Sequence, residues 1–148
     1  MSPSRPAAAE AAGPSYAGER LGLPEKGPGS VAGWGRRVLA LAVDWLASTL
    51  VAIAFTGVDG WIEGTAFSES VPLLVFLLEA SFLTAVAGGS FGQLACRVTV
   101  TRLDGRPVNL LQSLLRTFLI CLVVPPLVFN RDRRGLHDLA VGTLTRRR

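Results

Sequence analysis

Lysine occurs once in the 148 residues, at Lys26, and histidine once, at His137; every other basic side chain is one of 14 arginines. One histidine and two cysteines, Cys96 and Cys121, are too few for a zinc site or a disulfide framework. Both cysteines read as small packing residues, and neither a metal nor a cofactor is expected. There is no catalytic carboxylate pair, no phosphate-binding glycine loop and no nucleophile motif, so the chain is not expected to be an enzyme. A histidine beside an acid, as in His137-Asp138, serves proton transfer in some sites. Inside an arginine-rich tail the pair reads instead as interfacial. No basic patch is interleaved with aromatics, and nucleic acid is set aside as a partner.

Apolar residues make up 49% of the chain, mean hydropathy is +0.41, and these residues are grouped in blocks. The length suits one domain. Residues 1–32 are rich in Pro, Ala, Gly and Ser with scattered charges. Such a segment has no apolar face to offset its ordering entropy, so it is expected to be a disordered tail. It also lacks the basic start and apolar core of a signal peptide. Residues 33–145 form the expected membrane domain. Its first span runs from about Val38 to Val58, roughly 30 Å at 1.5 Å per residue, which matches a bilayer core. Ala40, Asp44, Ser48 and Ala52 fall at successive i+4 positions and form one small, partly polar stripe. Small stripes let helices approach closely in lipid. Trp34 and Trp61 flank the span, where indoles favour the interface.

A second span is expected from about Pro72 to Gly88, with Ala80, Thr84 and Gly88 as its small stripe. Gly88-Gly89-Ser90-Phe91-Gly92-Gln93 reads as a helix stop. Arg97–Arg102 alternates with period two, as a strand does, and Leu103-Asp104-Gly105-Arg106-Pro107 reads as a turn. A short surface β-hairpin is therefore expected here. The third apolar stretch, 110–129, is interrupted by Arg116 and Pro125-Pro126. The fold class is a small all-α membrane bundle with two clear transmembrane helices, a third spanning or re-entrant segment, and that hairpin.

Asp44, Glu79 and Arg116 are ionisable groups inside apolar stretches. Such groups are costly in lipid and mark functional or structural sites. Asp44 and Arg116 sit at similar depth, roughly 9 Å past the start of their helices, and are expected to neutralise each other. Arg37 is then left for lipid phosphate or Asp138. Arg36, Arg97, Arg131, Arg133 and Arg134 are expected to anchor the chain to lipid headgroups or the cytoplasm. The positive-inside rule puts the N-terminus in the cytoplasm and the acidic loop at 59–71 outside. The tail carries six arginines and should also be inside, whereas three full spans would place it outside. Full spanning and re-entry at Pro125-Pro126 both stay open on these residues.

Arg37 and Asp44 in the first helix, with Asp138 in Leu136-His137-Asp138-Leu139-Ala140-Val141-Gly142-Thr143, resemble the RDD family of small bacterial membrane proteins. That family is named for one arginine and two aspartates. Gly92–Val100, Asp104-Gly105-Arg106-Pro107 and Leu114-Leu115-Arg116 are similar to its middle part. The resemblance covers about residues 33–145. Two features depart from it: Gln93 stands where a basic residue is frequent, and the stretch between Arg116 and Leu136 is short. The resemblance implies a multi-pass cell-membrane protein and no particular reaction. Two functions are expected from the embedded charges. One is assisted movement of an ion or small solute by a homo-oligomer, with Asp44 and Glu79 as the binding acids. The other is a non-catalytic accessory or assembly subunit of a larger membrane complex, with the charges as structural glue. Membrane lipid is the expected partner in both.

Overall fold

The computed structural model describes residues 13–122 and 128–148. Helix α1 spans Trp34–Ile62 and α2 spans Ala66–Ala87, and both are long and apolar enough to cross a membrane. The buried residues of α1 are Ala40, Asp44, Ser48 and Ala52, the small i+4 stripe read from the sequence. Those of α2 include Ser68, Pro72, Phe76, Ala80 and Thr84, again four apart. Small side chains on the two facing stripes let the helices pack closely, and the large apolar residues turn outward. Leu46, Leu50 and Phe55 on α1, with Leu74, Leu78 and Phe82 on α2, are all exposed. A helix pair with polar and small residues inside and large apolar residues outside suits lipid better than water.

Local signals set the helix ends. The Thr65 hydroxyl accepts the Ser68 N–H at 3.2 Å and starts α2. Gly88, at φ 80°, ends it in the left-handed conformation that favours glycine. Near the far end of α1, Gly57 leaves helical geometry at φ 77° and kinks the helix before the turn into α2. Helix α3 (Phe91–Ala95) and helix α4 (Leu110–Cys121) each begin with a reciprocal capping box, Ser90 with Gln93 and Asn109 with Gln112. The glycine-rich stretch read as a helix stop therefore also opens a new helix. The capping serine and glutamine decide that, and Gly92 lies inside α3.

Strand β1 (Val98–Arg102) pairs antiparallel with strand β2 (Thr143–Arg147), in the register Val98 to Arg147 and Arg102 to Thr143. Between them, helix α5 (Leu136–Ala140) leads into β2. The expected hairpin is thus corrected in its second strand. The turn forms, with the Gly105 N–H on Arg102 O at 3.0 Å. Beyond it Pro107 has no N–H to donate, and Asn109 starts α4. The partner strand comes from the far end of the chain.

The expected tail at 1–32 also differs in its described part. Residues 29–32 lie along the other edge of β2. Gly29 and Ala32 donate to Arg147 O and Thr145 O at 2.9 and 3.0 Å, and Arg147 donates back to Ser30 O at 2.9 Å. Backbone pairing orders this segment, which hydropathy does not register. Residues 29–32, β1 and β2 thus form one hydrogen-bonded cap, continuous with the N-terminal end of α1. At 12 residues, α4 is too short to cross a bilayer by itself. The expected re-entry at Pro125-Pro126 falls outside the described residues.

Candidate functional site: a buried arginine–aspartate cluster

Asp138 on α5 is fully buried, at 0% exposure, and gathers groups from three parts of the chain. Its Oδ1 accepts Arg116 Nε of α4 at 2.9 Å and the Thr143 hydroxyl at 3.0 Å. Its Oδ2 accepts the Thr145 hydroxyl at 2.9 Å and lies 3.6 Å from Arg37 Nη1 of α1. His137 Nε2 is 3.7 Å from the same oxygen. Burial alone would raise the Asp138 pKa. The charges of Arg116, His137 and Arg37, with the Arg116 hydrogen bond, outweigh it and hold the carboxyl well below the usual carboxylate range. One anion therefore fixes α1, α4, α5 and β2 together.

The two arginines are held on their other sides as well. Arg37 donates from Nε to Ala32 O at 3.1 Å and from Nη2 to Thr145 O at 3.3 Å. Arg116 donates from Nη2 to the Thr145 hydroxyl at 3.3 Å. The alternation Thr143-Leu144-Thr145 places both threonine hydroxyls on the Asp138 side of β2. That alternation is the sequence signal that would have added them to the cluster.

Asp44 forms a second site with hydrogen-bond partners of its own. Its Oδ2 accepts the Ser90 hydroxyl at 2.6 Å and its Oδ1 accepts the Gly92 N–H at 2.5 Å. Arg116 turns to Asp138 instead, so the expected Asp44–Arg116 pair is not formed. The reason is local: Asp44 meets the unsatisfied N–H groups at the start of α3, which suit a carboxylate. Glu79 of α2 accepts the next of these, Phe91 N–H, at 2.7 Å. The carboxylates of Asp44 and Glu79, one from each long helix, thus hold the first turn of α3 between them. Gly92 is required for this approach, since a Cβ there would collide with the Ala40 carbonyl and sit 2.9 Å from Asp44 Cγ. Sequence reasoning missed Ser90 and Gly92, although Ser90-x-x-Gln93 is a capping signature.

The expected lipid anchors divide. Arg134 is buried and donates to Thr143 O and Asp138 O at 3.1 and 3.4 Å, so its guanidinium serves the cap and not a headgroup. Arg36 donates to Cys96 O at 2.9 Å while staying exposed. Arg97, Arg131 and Arg133 are exposed. Arg131 and Arg133 ride on a tight loop closed by the bridge between Phe129 and Gly135. Inside that loop Asn130 Oδ1 accepts the Asp132 and Arg134 N–H groups at 3.0 and 2.9 Å.

The model of the RDD family matches residues 31–142. The chain belongs to the RDD family. Arg37, Asp44 and Asp138, the charges that carried the resemblance, all lie within the match, whereas Thr143 and Thr145 of the Asp138 site fall just beyond it. No curated protein and no solved structure matches this RDD chain. Its two long apolar helices and its family are together consistent with a membrane location.

Proposed function

We propose that this RDD protein is a multi-pass cell-membrane protein acting as a non-catalytic accessory or assembly subunit of a larger membrane complex. In this reading α1 and α2 cross the bilayer and the cap lies on the cytoplasmic face. Arg36, Arg97, Arg131 and Arg133 are at the cap end of the helices, and the turn from α1 into α2, with the helix ends on either side of it, carries Asp59, Glu63 and Glu69 and no basic residue, in keeping with the positive-inside rule. The observation that carries the functional reading is the use of the embedded charges. Asp44, Arg116 and Asp138 are at most 3% exposed, and each is bonded to groups of its own chain. Charges so engaged lock helices to a cap, and the outward apolar faces are left for lipid and partner helices. Gentle purification from native membranes followed by mass measurement tests this. A stoichiometric partner supports it, and a chain that purifies only with itself counts against it.

One observation favours a second reading, ion or small-solute movement by a homo-oligomer. Glu79 Oε2 is buried and has no hydrogen-bond partner among the described residues. It is the carboxylate oxygen left over to take a proton or cation. The same mass measurement separates the two, since a two-helix chain needs further copies to enclose a path.

A further inference from the structure

We infer that the slot between α1 and α4 takes up one acyl chain of a membrane lipid. Helices α1 and α4 each pack along α2, and a cavity of about 110 Å³ lies between them. Phe76 and Ala80 of α2 form its floor and are buried, at 4% and 3% exposure. Val38 and Leu41 of α1 line one side, at 43% and 42% exposure, and the half-buried Ile120 of α4 lines the other. A buried floor beneath a partly exposed apolar rim means that the slot opens outward through the apolar surface of the helices. Most of its accessible wall is apolar. Concave apolar sites of this kind, with a few polar groups at the edge, are where small ligands bind.

Polar groups also border the slot, and each charge among them is engaged by its own chain. Asp44 accepts from Ser90 and Gly92. Arg37 and Arg116 pair with Asp138, and His137 Nε2 lies 3.7 Å from the same carboxylate. Gln93 Oε1 accepts the Ser90 N–H, and the Thr117 and Thr145 hydroxyls donate to Ser113 O and Asp138. The two guanidiniums are balanced by the carboxylates of Asp44 and Asp138, so the slot has no unpaired charge to offer a ligand. Water holds its place in a cavity only with several polar partners, whereas an apolar cavity takes apolar guests. A helix with its side chains is about 10–12 Å across and too wide to enter. A single hydrocarbon chain is thin enough, and it is the apolar group at hand in a bilayer. Such a site requires only that α1 and α2 lie in the bilayer, and it serves either functional reading.

Photolabelling gives the readout. The full chain in neutral detergent is titrated with phosphatidylcholine carrying a diazirine in one acyl chain, irradiated, and mapped residue by residue by fragmentation mass spectrometry. Lipid that merely coats the helices reaches Leu46, Leu50, Leu78 and Phe82, which face outward. Only a chain inside the slot reaches the buried Phe76 and Ala80. The expected result is label on Phe76 or Ala80 that saturates with dose while the outward label keeps rising. Ile120→Trp, which fills the slot from the α4 side, should abolish the floor label and leave the outward label unchanged. Where Ile120→Trp does not fold, the dose response of the native chain decides alone. The proposal is overturned by the absence of floor label, by floor label that rises in parallel with the outward label, or by floor label that survives Ile120→Trp in a folded protein.

Discussion

Arg116 Nε and Asp138 Oδ1 meet at 2.9 Å, with side-chain exposures of 3% and 0%. This bond ties a helix of the apolar bundle to the element that leads into the central strand of the cap. Taking two charges out of water is expensive, and such a pair persists when its remaining valences are also met. Here Thr143, Thr145 and Arg37 meet those of the carboxylate.

The first prediction concerns pH. Asp138 has a folded-state pKa below that of the unfolded chain, where a carboxyl titrates near 3.9. Between the two values the unfolded chain binds a proton and the folded chain does not. The stabilisation is therefore complete above about pH 5 and declines as pH falls through the acid range. Thermal midpoints of the detergent-solubilised protein should drop below pH 4, and Asp138→Asn should be less stable at neutral pH with a flatter acid limb.

A second prediction tests the close approach of α3 to α1. Gly92→Ala places a Cβ against the Ala40 carbonyl, which as helix backbone cannot yield cheaply. The variant should lose on the order of 1–3 kcal/mol, as overpacked sites do. Gly35→Ala, where a Cβ meets open space in ordinary helical backbone, should carry no such cost. Equal midpoints for the two variants would mean that α3 does not seat on Ala40.

The third concerns Asp44. Removing its charge by Asp44→Asn leaves the Gly92 N–H with a weaker acceptor, and Ser90→Ala removes the hydroxyl bond. Because both act on the same start of α3, their costs should be less than additive in thermal stability. Asp44→Asn combined with Arg116→Gln should couple less than Asp44→Asn with Ser90→Ala, since Arg116 shares no hydrogen bond with Asp44 and bonds to Asp138 instead.

The N-terminal segment yields a fourth. Deleting residues 2–27 removes none of the backbone bonds along β2 made among the described residues, whereas deleting 2–32 removes those of Gly29, Ser30 and Ala32 and the Ala32 carbonyl that Arg37 uses. Hydrogen exchange at the amides of β2 should be unchanged by the shorter deletion and accelerated by the longer one.

Much of the bundle was legible because one rule dominates it. Small residues spaced by four mark the faces that touch, and Ala40, Asp44, Ser48 and Ala52 obey it. The site was legible in its members but not in its pairing. Depth along a helix made Asp44 and Arg116 look like partners. Depth says nothing of the donors that arrive from outside the bundle, which here are Ser90 and Gly92. The β2 strand was hidden for a related reason: its partners, β1 and residues 29–32, are far away in the chain, and strand pairing over such distances leaves little local trace. Arg134 read as a surface anchor by its arginine-rich neighbourhood, yet the turn at Asn130 sends its side chain inward.

The embedded charges act as internal fasteners, with Arg116 and Asp138 as the principal pair. A double-mutant cycle on thermal stability, using Arg116→Gln, Asp138→Asn and the combination, tests it most directly. Each single variant strands a buried charge and should cost about 3–5 kcal/mol. The double variant should recover a large part of that loss, giving a coupling of at least about 1 kcal/mol. Losses that simply add would contradict the account, because they would mean that Arg116 and Asp138 do not hold each other.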